Sequence, residues 1–351
     1  MPVQPPIRVW ALLGPHRGDN NQILALAEAL GFGFEQKPLE FNQLRRLQPA
    51  LLGATFASLD ARSRKLVDGE PPDLTISTGH RSVPAVLELK RRSGGRMRAV
   101  HLGYPRLSPR HFDLVVPTPE YPVPDAANVL RIPFALTPHA APAVLLAEDS
   151  AALARLPRPK RLLVVGGPTL YWQLSSDIVM STLRRCIADS ASEAGSLLLI
   201  GSPRTPAPLL RALETELGSS SVPHLTGSLP HSPSYRAMLE SADSIFVTAD
   251  SVAMVADAVT TGKPVGIVPI EKSAFGRSMM TLNDRLRPGK RLFPRDLRFF
   301  WSTLEEQGFG GTVDSPRASN PPDFALVVAD RVRRLLGRPL PLATNGRGSD
   351  R

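Results

Sequence analysis

The feature that most constrains this chain is an alternation. Short aliphatic and β-branched runs recur along it, and segments of helical periodicity lie between them. In the first half the runs are Ile7–Leu13, Phe34–Leu39, Asp73–Thr78, Arg98–Leu102, Asp113–Pro117 and Asn128–Ile132. In the second half they are Arg161–Val165, Ser196–Ile200, Pro223–Thr226, Ser244–Thr248 and Pro264–Val268. Most are near-continuously apolar, the pattern of strands buried on both faces, which belongs to parallel sheets. Between them, Ile23, Leu26, Ala27 and Leu30 have helical spacing within Asn21–Leu30. Asp19 or Asn20 can cap that helix and Gly31 can end it. Leu209, Leu210, Leu213 and Leu217 form a second stripe, and Val252, Val255, Ala256 and Val259 a third. Strand–helix alternation in both halves predicts an α/β protein of two Rossmann-like, doubly wound parallel-sheet domains facing a cleft.

The predicted organisation places a first domain over residues 1–138 and a linker with a connecting helix over 139–160. A second domain spans 161–322. A C-terminal helix over 323–337 carries Phe324, Val327, Val328, Val332 and Leu335 on one face, and it can return to the first domain. Residues 338–351 read as a disordered tail. The prolines Pro133, Pro138 and Pro142 make Phe134–Pro142 the expected break.

Composition removes several classes. Lys plus Arg number 42 against 32 acidic residues, a net charge of +10, and 35 of the 42 are arginine. A positive surface favours phosphates, nucleic acid or anionic lipid, but this excess alone specifies none of them. The single cysteine, Cys186, excludes an internal disulfide and a Cys-rich zinc site and reads as a core thiol. No apolar run approaches the length of a membrane span, and Met1–Pro6 lacks a signal-peptide pattern. The expected location is cytoplasmic, with peripheral attachment to the inner face of a membrane as an option. The chain has no Gly-x-x-x-x-Gly-Lys-Ser/Thr, His-Glu-x-x-His or Gly-x-Ser-x-Gly. No tyrosine is followed four residues later by lysine, which speaks against short-chain epimerases and dehydrogenases.

Ligands of open α/β sheets bind at the carboxyl ends of the strands, so the post-strand loops carry the chemistry. In Gly14-Pro-His-Arg-Gly-Asp-Asn-Asn-Gln22, His16 or Asp19 can accept a proton, although Asp19 can equally be a helix cap. Ser77-Thr-Gly-His-Arg81 offers His80 and Arg81, or is a solvated loop. Gly166-Gly-Pro-Thr169 lets a ligand approach the backbone and gives Thr169 as a donor, or is a plain turn. In Gly201-Ser-Pro-Arg-Thr205, the Arg204 guanidinium matches a diphosphate, or is a surface arginine. Thr248-Ala-Asp-Ser-Val-Ala-Met-Val-Ala-Asp257 carries most weight. Asp250 and Ser251 open a helix whose N-terminus can seat phosphates, and Asp257 can hold ribose hydroxyls. The plain alternatives are a cap and a solvated carboxylate. Finally, Arg287–Trp301 mixes Arg287, Lys290, Arg291, Arg295 and Arg298 with Phe293, Phe299, Phe300 and Trp301. It fits a membrane surface or a helix with core aromatics.

Taken together, Gly18-Asp-Asn-Asn-Gln-Ile-Leu-Ala-Leu-Ala-Glu-Ala-Leu30, Ile76-Ser-Thr-Gly-His-Arg-Ser-Val-Pro84, Gly166-Gly-Pro168, Ser202-Pro-Arg-Thr-Pro206, Thr248–Val255 and Thr261-Gly-Lys-Pro264 resemble the mitochondrial-fission "elongated mitochondria" family and its bacterial homologues. The resemblance covers about Ile7 to Leu336. It implies a GT-B-like architecture like that of nucleotide-sugar glycosyltransferases. In such enzymes the matching second-domain helix holds the donor diphosphate and an acidic residue on it holds the ribose, here Ser251 and Asp257. This chain has Asp257 where many such enzymes have Glu, and Pro203 where relatives often carry Arg.

The expectation is therefore a GT-B glycosyltransferase. It would move a sugar from a nucleoside-diphosphate donor to a sugar, lipid or glycan acceptor, with no cofactor and no metal. Gly166, Gly167, Thr169, Ser202, Arg204, Asp250, Ser251 and Asp257 form the donor side, and His16, Asp19 and His80 are the catalytic candidates. The alternative is a non-catalytic GT-B-like adaptor that binds a protein partner at a membrane surface, with contact through Arg287–Trp301. No specific nucleic-acid partner is expected.

Overall fold

The computed structural model describes residues 6–137, 147–228, 234–286 and 295–338. It divides into two compact units. One comprises Met1–Pro117, Val123–Arg131 and Asp323–Arg351, and the other Thr118–Pro122 and Ile132–Pro322.

The N-terminal unit contains β1 Val9–Leu13, α1 Arg17–Leu30, β2 Phe34–Pro38, α2 Pro49–Leu52, α3 Ala61–Val67, β3 Leu74–Thr78, α4 Val83–Arg92, β4 Arg98–Leu102 and β5 Leu114–Val116. The sheet order is β2-β1-β3-β4-β5, parallel throughout. The chain goes from β1 to β2 on one side and returns to β3 on the other. Strand order thus reverses between β1 and β3, and a crevice opens at their carboxyl ends.

Two local expectations change here. Helix α1 starts at Arg17, not Asn21, with His16 as an N-cap whose side chain makes no capping bond. The Asn20 amide is occupied elsewhere: it accepts from Gly14 N–H at 2.8 Å and donates to Gly14 C=O at 2.8 Å, pinning the end of β1 to the first helical turn. Asp19 falls in that first turn, where a carboxylate meets the positive end of the helix dipole. Asn128–Ile132 is not a strand. Only Val129 bridges, to Val115, because the Asn128 amide turns to Pro109 C=O and Phe112 C=O.

The C-terminal unit contains α5 Ala147–Ala154, β6 Lys160–Val165, β7 Trp172–Gln173, α6 Ser176–Ser192, β8 Ser196–Gly201, α7 Ala207–Gly218, β9 His224–Ser228, α8 Ser234–Ser241, β10 Ser244–Thr248, α9 Val252–Val259, β11 Val265–Val268, β12 Glu271–Lys272, α10 Ala274–Leu286, α11 Leu297–Gln307 and β13 Gly311–Thr312. Its main sheet runs β13-β11-β10-β6-β8-β9, again parallel, and β7 pairs antiparallel with β12. The order reverses between β6 and β10. Leu163, Val165, Leu197 and Leu199 pack under Leu183, Leu213 and Leu217, and Cys186 lies in the same core. Burial pushes its thiol up to about 12, so it stays protonated.

The last helix, α12 Phe324–Leu335, belongs to the N-terminal unit and packs on α1. Its buried face is Ala325, Val328, Ala329, Val332 and Arg333, rotated from the expected one, and Val327 is 43% exposed. The small alanines allow a close approach. Arg333 donates to Leu30 C=O at 3.2 Å and also to Ala29 C=O. These are C-terminal carbonyls of α1, a helix with no basic residue in its own last turn. Phe134, expected to open the linker, is buried in the C-terminal unit against Phe309, ring centroids 5.5 Å apart. Ala135 and Leu136 are buried with it, and residues 138–142 of that expected linker and the tail from 339 lie outside the described residues.

Candidate functional site

At the β6/β10 switch point five of the expected donor-side residues interlock. Asp250, 1% exposed, follows β10. Its Oδ1 accepts from Thr248 Oγ at 2.7 Å, and its Oδ2 accepts from Gly167 N–H at 3.0 Å and Arg204 Nη2 at 2.8 Å. Arg204 Nη1 also donates to Gly167 C=O at 3.2 Å. The Gly166 N–H donates to Thr248 Oγ at 2.7 Å. Ser202 Oγ accepts from Arg204 N–H at 3.2 Å, which fixes the loop that presents the arginine.

The glycine pair has a reason the sequence did not reveal. A Cβ at Gly166 would lie 2.1 Å from Asp250 Oδ1, and one at Gly167 would lie 2.2 Å from Arg204 C=O. Glycine is needed there by the protein's own close approach. Asp250 is likewise turned inward as a positioning residue.

Helix α9 opens immediately after this lock. Ser251 is its N-cap and accepts from Met254 N–H at 3.4 Å. The first i→i−4 bond runs from Val255 N–H to Ser251 C=O. Helix geometry then leaves the Val252 and Ala253 amides without intrahelical acceptors. The Arg204 side chain, held on Asp250 just before the N-cap, is 45% exposed and can meet an anion. Asp257 lies at the other end of α9 and accepts from the Tyr235 hydroxyl at 3.2 Å. Burial raises its carboxyl to about 6, against the lowering effect of that bond. Thr169 stands apart from the lock: its Oγ accepts from Trp172 N–H at 3.2 Å in a local turn. On the β11 side, Ile267, Ile270, Trp301, Leu304 and Phe309 line an apolar cavity of about 470 Å³.

The N-terminal unit holds a smaller pocket, about 140 Å³, at its own β1/β3 switch point. It brings together all three catalytic candidates, His16, Asp19 and His80, with Arg81 and Ser82. Gly79 takes φ +69, and Ser82 Oγ donates to Thr78 C=O and Gly79 C=O at 2.9 Å each, so the loop after β3 is held from within. His80 is lowered to about 4, by burial first and then by the charges of Arg106 and Arg81. Behind it on β4, fully buried His101 places Nδ1 3.0 Å from Ser77 Oγ. Burial, with His80 adding to it, takes His101 to about 3. Both imidazoles are neutral near pH 7. Neither Arg106 nor His101 stood out in the sequence, because one lies in an unpatterned loop and the other inside an apolar strand.

The basic and aromatic stretch is only half described, since Arg287, Lys290, Arg291 and Phe293 lie outside the described residues. In the described half Phe299 is exposed, while its neighbours Phe300 and Trp301 pack inward. Phe300 is fully buried, Trp301 donates to Ala249 C=O at 3.0 Å and stands edge-on to Trp172, and Arg298 pairs with Asp296 at 2.7 Å. Phe300 and Trp301 are thus anchors of α11, not membrane-facing groups. No helix among the described residues is long and apolar enough to cross a membrane.

The family model described as Mitochondrial fission ELM1 matches residues 17–296. The chain belongs to this family. No curated protein matched the sequence. Among solved structures, the UDP-GlcNAc 2-epimerase of Methanocaldococcus jannaschii is similar at TM-score 0.53 and 10% identity, covering 94% of this chain and 99% of that one. Spinosyn forosaminyltransferase SpnP is similar at TM-score 0.50 and 15% identity, covering 95% and 100%. Both units are parallel-sheet α/β domains, and the fold matches GT-B glycosyltransferases and epimerases. At such identities the likeness is one of fold.

Proposed function

We propose that this ELM1-family protein binds a nucleoside-diphosphate sugar through its C-terminal unit and transfers the sugar to an acceptor. One observation carries this reading: the open amide end of α9 and the half-exposed Arg204 guanidinium are fixed together at the β6/β10 switch point by Asp250. Oriented N–H dipoles and a guanidinium suit a diphosphate, both in the ground state and as it leaves. The acceptor hydroxyl attacks the anomeric carbon. The bond from that carbon to the diphosphate oxygen breaks, and the nucleoside diphosphate departs with the electron pair. The acceptor proton passes to a base on the N-terminal unit. His80, lowered to about 4, is a weak base, so exposed His16 is assigned the role, with Asp19 as its substitute. The charge on the diphosphate is assigned to α9 and Arg204, and the scheme calls for no metal.

The test is thermal shift or calorimetry with UDP-, GDP-, ADP- and CMP-sugars. A shift with a UDP-, GDP- or ADP-sugar that disappears in Arg204→Gln supports the proposal; a shift with none of these three, or with the monophosphate CMP-sugar alone, removes it. The solved 2-epimerase shares the fold, so a product with inverted configuration at the sugar C2, formed without an acceptor, would point to epimerisation.

Membership of the mitochondrial-fission family favours a second reading, a non-catalytic adaptor for a protein partner at a membrane. An adaptor tolerates loss of His16 and Asp257 without change in its binding. A transferase does not tolerate loss of its base.

A further inference from the structure

We propose that the β1/β3 pocket of the N-terminal unit is an anion site, binding the phosphate or carboxylate group of a small molecule at Arg81, with Arg106 adding positive charge from the loop after β4. The pocket lies where strand order reverses in its sheet, the usual ligand position in open α/β domains. Its walls are rigid. Asn20 holds Gly14 at both backbone groups on one side, and Ser82 holds the Thr78–Gly79 turn on the other.

Charge at this pocket is out of balance. Arg81 lines it and Arg106 acts on His80 from the loop after β4. Among the described residues, neither arginine has a hydrogen-bonding or ion-pairing partner. Several other described arginines are placed differently: Arg8, Arg91, Arg92, Arg98, Arg184 and Arg298 all sit on carboxylates. Two half-buried guanidiniums without carboxylates, beside a histidine held neutral, leave a cationic excess that the single lining carboxylate, Asp19, does not cancel. Guanidiniums pair in two-point fashion with phosphate or carboxylate oxygens. Neutral His80 adds one donor and one acceptor.

Size limits the occupant. About 140 Å³ is below the roughly 300 Å³ of ordinary small-molecule pockets, so the site takes an ionic group and not a whole nucleotide. Identifying the carrier of that group as the sugar acceptor rests on the sugar-transfer reading. The anion site itself does not.

The experiment uses the full chain carrying Arg204→Gln, which removes the guanidinium of the other unit. Inorganic phosphate and acetate are titrated calorimetrically into this protein, then into the same protein with Arg81→Gln or Arg106→Gln. Phosphate binding that weakens roughly tenfold or more in both double variants is expected. Tighter binding of phosphate than acetate identifies a phosphorylated ligand, and the reverse a carboxylate. A second readout needs no variant. The His80 ring proton is followed by NMR against pH with and without phosphate, and a bound anion raises its midpoint from about 4. Absence of phosphate and acetate binding overturns the proposal. So does affinity unchanged by both arginine substitutions with a stationary His80 midpoint. Sugar-nucleotide binding by the wild-type chain is measured separately, so its failure removes the transfer reading and leaves the anion site standing.

Discussion

Replacing Asp250 by Asn tests the lock on which the C-terminal site depends. The substitution keeps shape and removes charge. In the native site three donors converge on the carboxylate: Thr248 Oγ, Gly167 N–H and Arg204 Nη2. An asparagine can direct its one oxygen at Gly167 and Arg204. Its NH2 group then faces Thr248 Oγ, which already accepts from Gly166 N–H, and the threonine proton loses its acceptor. One neutral bond in a buried position and the charge assistance of two others are lost, about 2–3 kcal/mol together. The Arg204 part of this is small, because its side chain is 45% exposed and water screens the pair. Arg204→Gln alone should therefore cost no more than about 1 kcal/mol. In a unit of this size 2–3 kcal/mol lowers the melting temperature by about 5–10 °C. The assay is calorimetric melting of the full chain, following the transition that moves in Asp250→Asn. Asp250→Asn melting within about 1 °C of wild type, or Arg204→Gln falling further than Asp250→Asn, would refute the picture of a buried carboxylate as organiser.

Gly167→Ala puts a Cβ 2.2 Å from Arg204 C=O and should destabilise by about 1–3 kcal/mol or more, whereas Gly14→Ala meets nothing within 4 Å and should melt like wild type. Comparing the two melts checks this. Asp257 binds its proton more tightly folded, at about 6, than unfolded near 3.8. The associated stability is complete below pH 3.8 and disappears as pH rises through 6, a loss of up to roughly 3 kcal/mol. Asp257→Asn should flatten that fall and melt higher than wild type at pH 7; a variant with the wild-type pH profile rejects the assignment. Sugar-nucleotide binding, where it is found, should survive EDTA, and its loss on chelation would show that α9 and Arg204 do not hold the diphosphate unaided. In the N-terminal pocket, His80 should show no NMR titration midpoint above about pH 5 without added anion.

The frame of this protein was legible because burial on two faces writes itself into a strand as an unbroken apolar run. Ser196–Ile200 and Ser244–Thr248, with their central Leu197–Ile200 and Ile245–Val247 runs, were placed closely on that ground. Where partners are remote the same reasoning loses its hold. The face of α12 was misplaced because valine and phenylalanine outweigh alanine on any apolar scale, yet α1 accepts the small side of the helix. That choice is fixed by Arg333 reaching the carbonyls of Ala29 and Leu30 from three hundred positions away. The candidate sites divide along the same line. Gly166, Gly167, Arg204 and Asp250 could be selected one at a time as turn and cap residues, but their mutual contacts reverse some of the roles. Asp250 faces inward to order the loops, and the two glycines make room for Asp250 and for the Arg204 backbone. In the N-terminal pocket His80 was visible as a post-strand histidine. Its neutrality was not, since that comes from burial and from Arg106, twenty-six residues along and on the next strand's loop. A one-dimensional pattern reports what each residue needs from water. What these residues need from one another is set by strand order, and both switch points arise only when the sheets close.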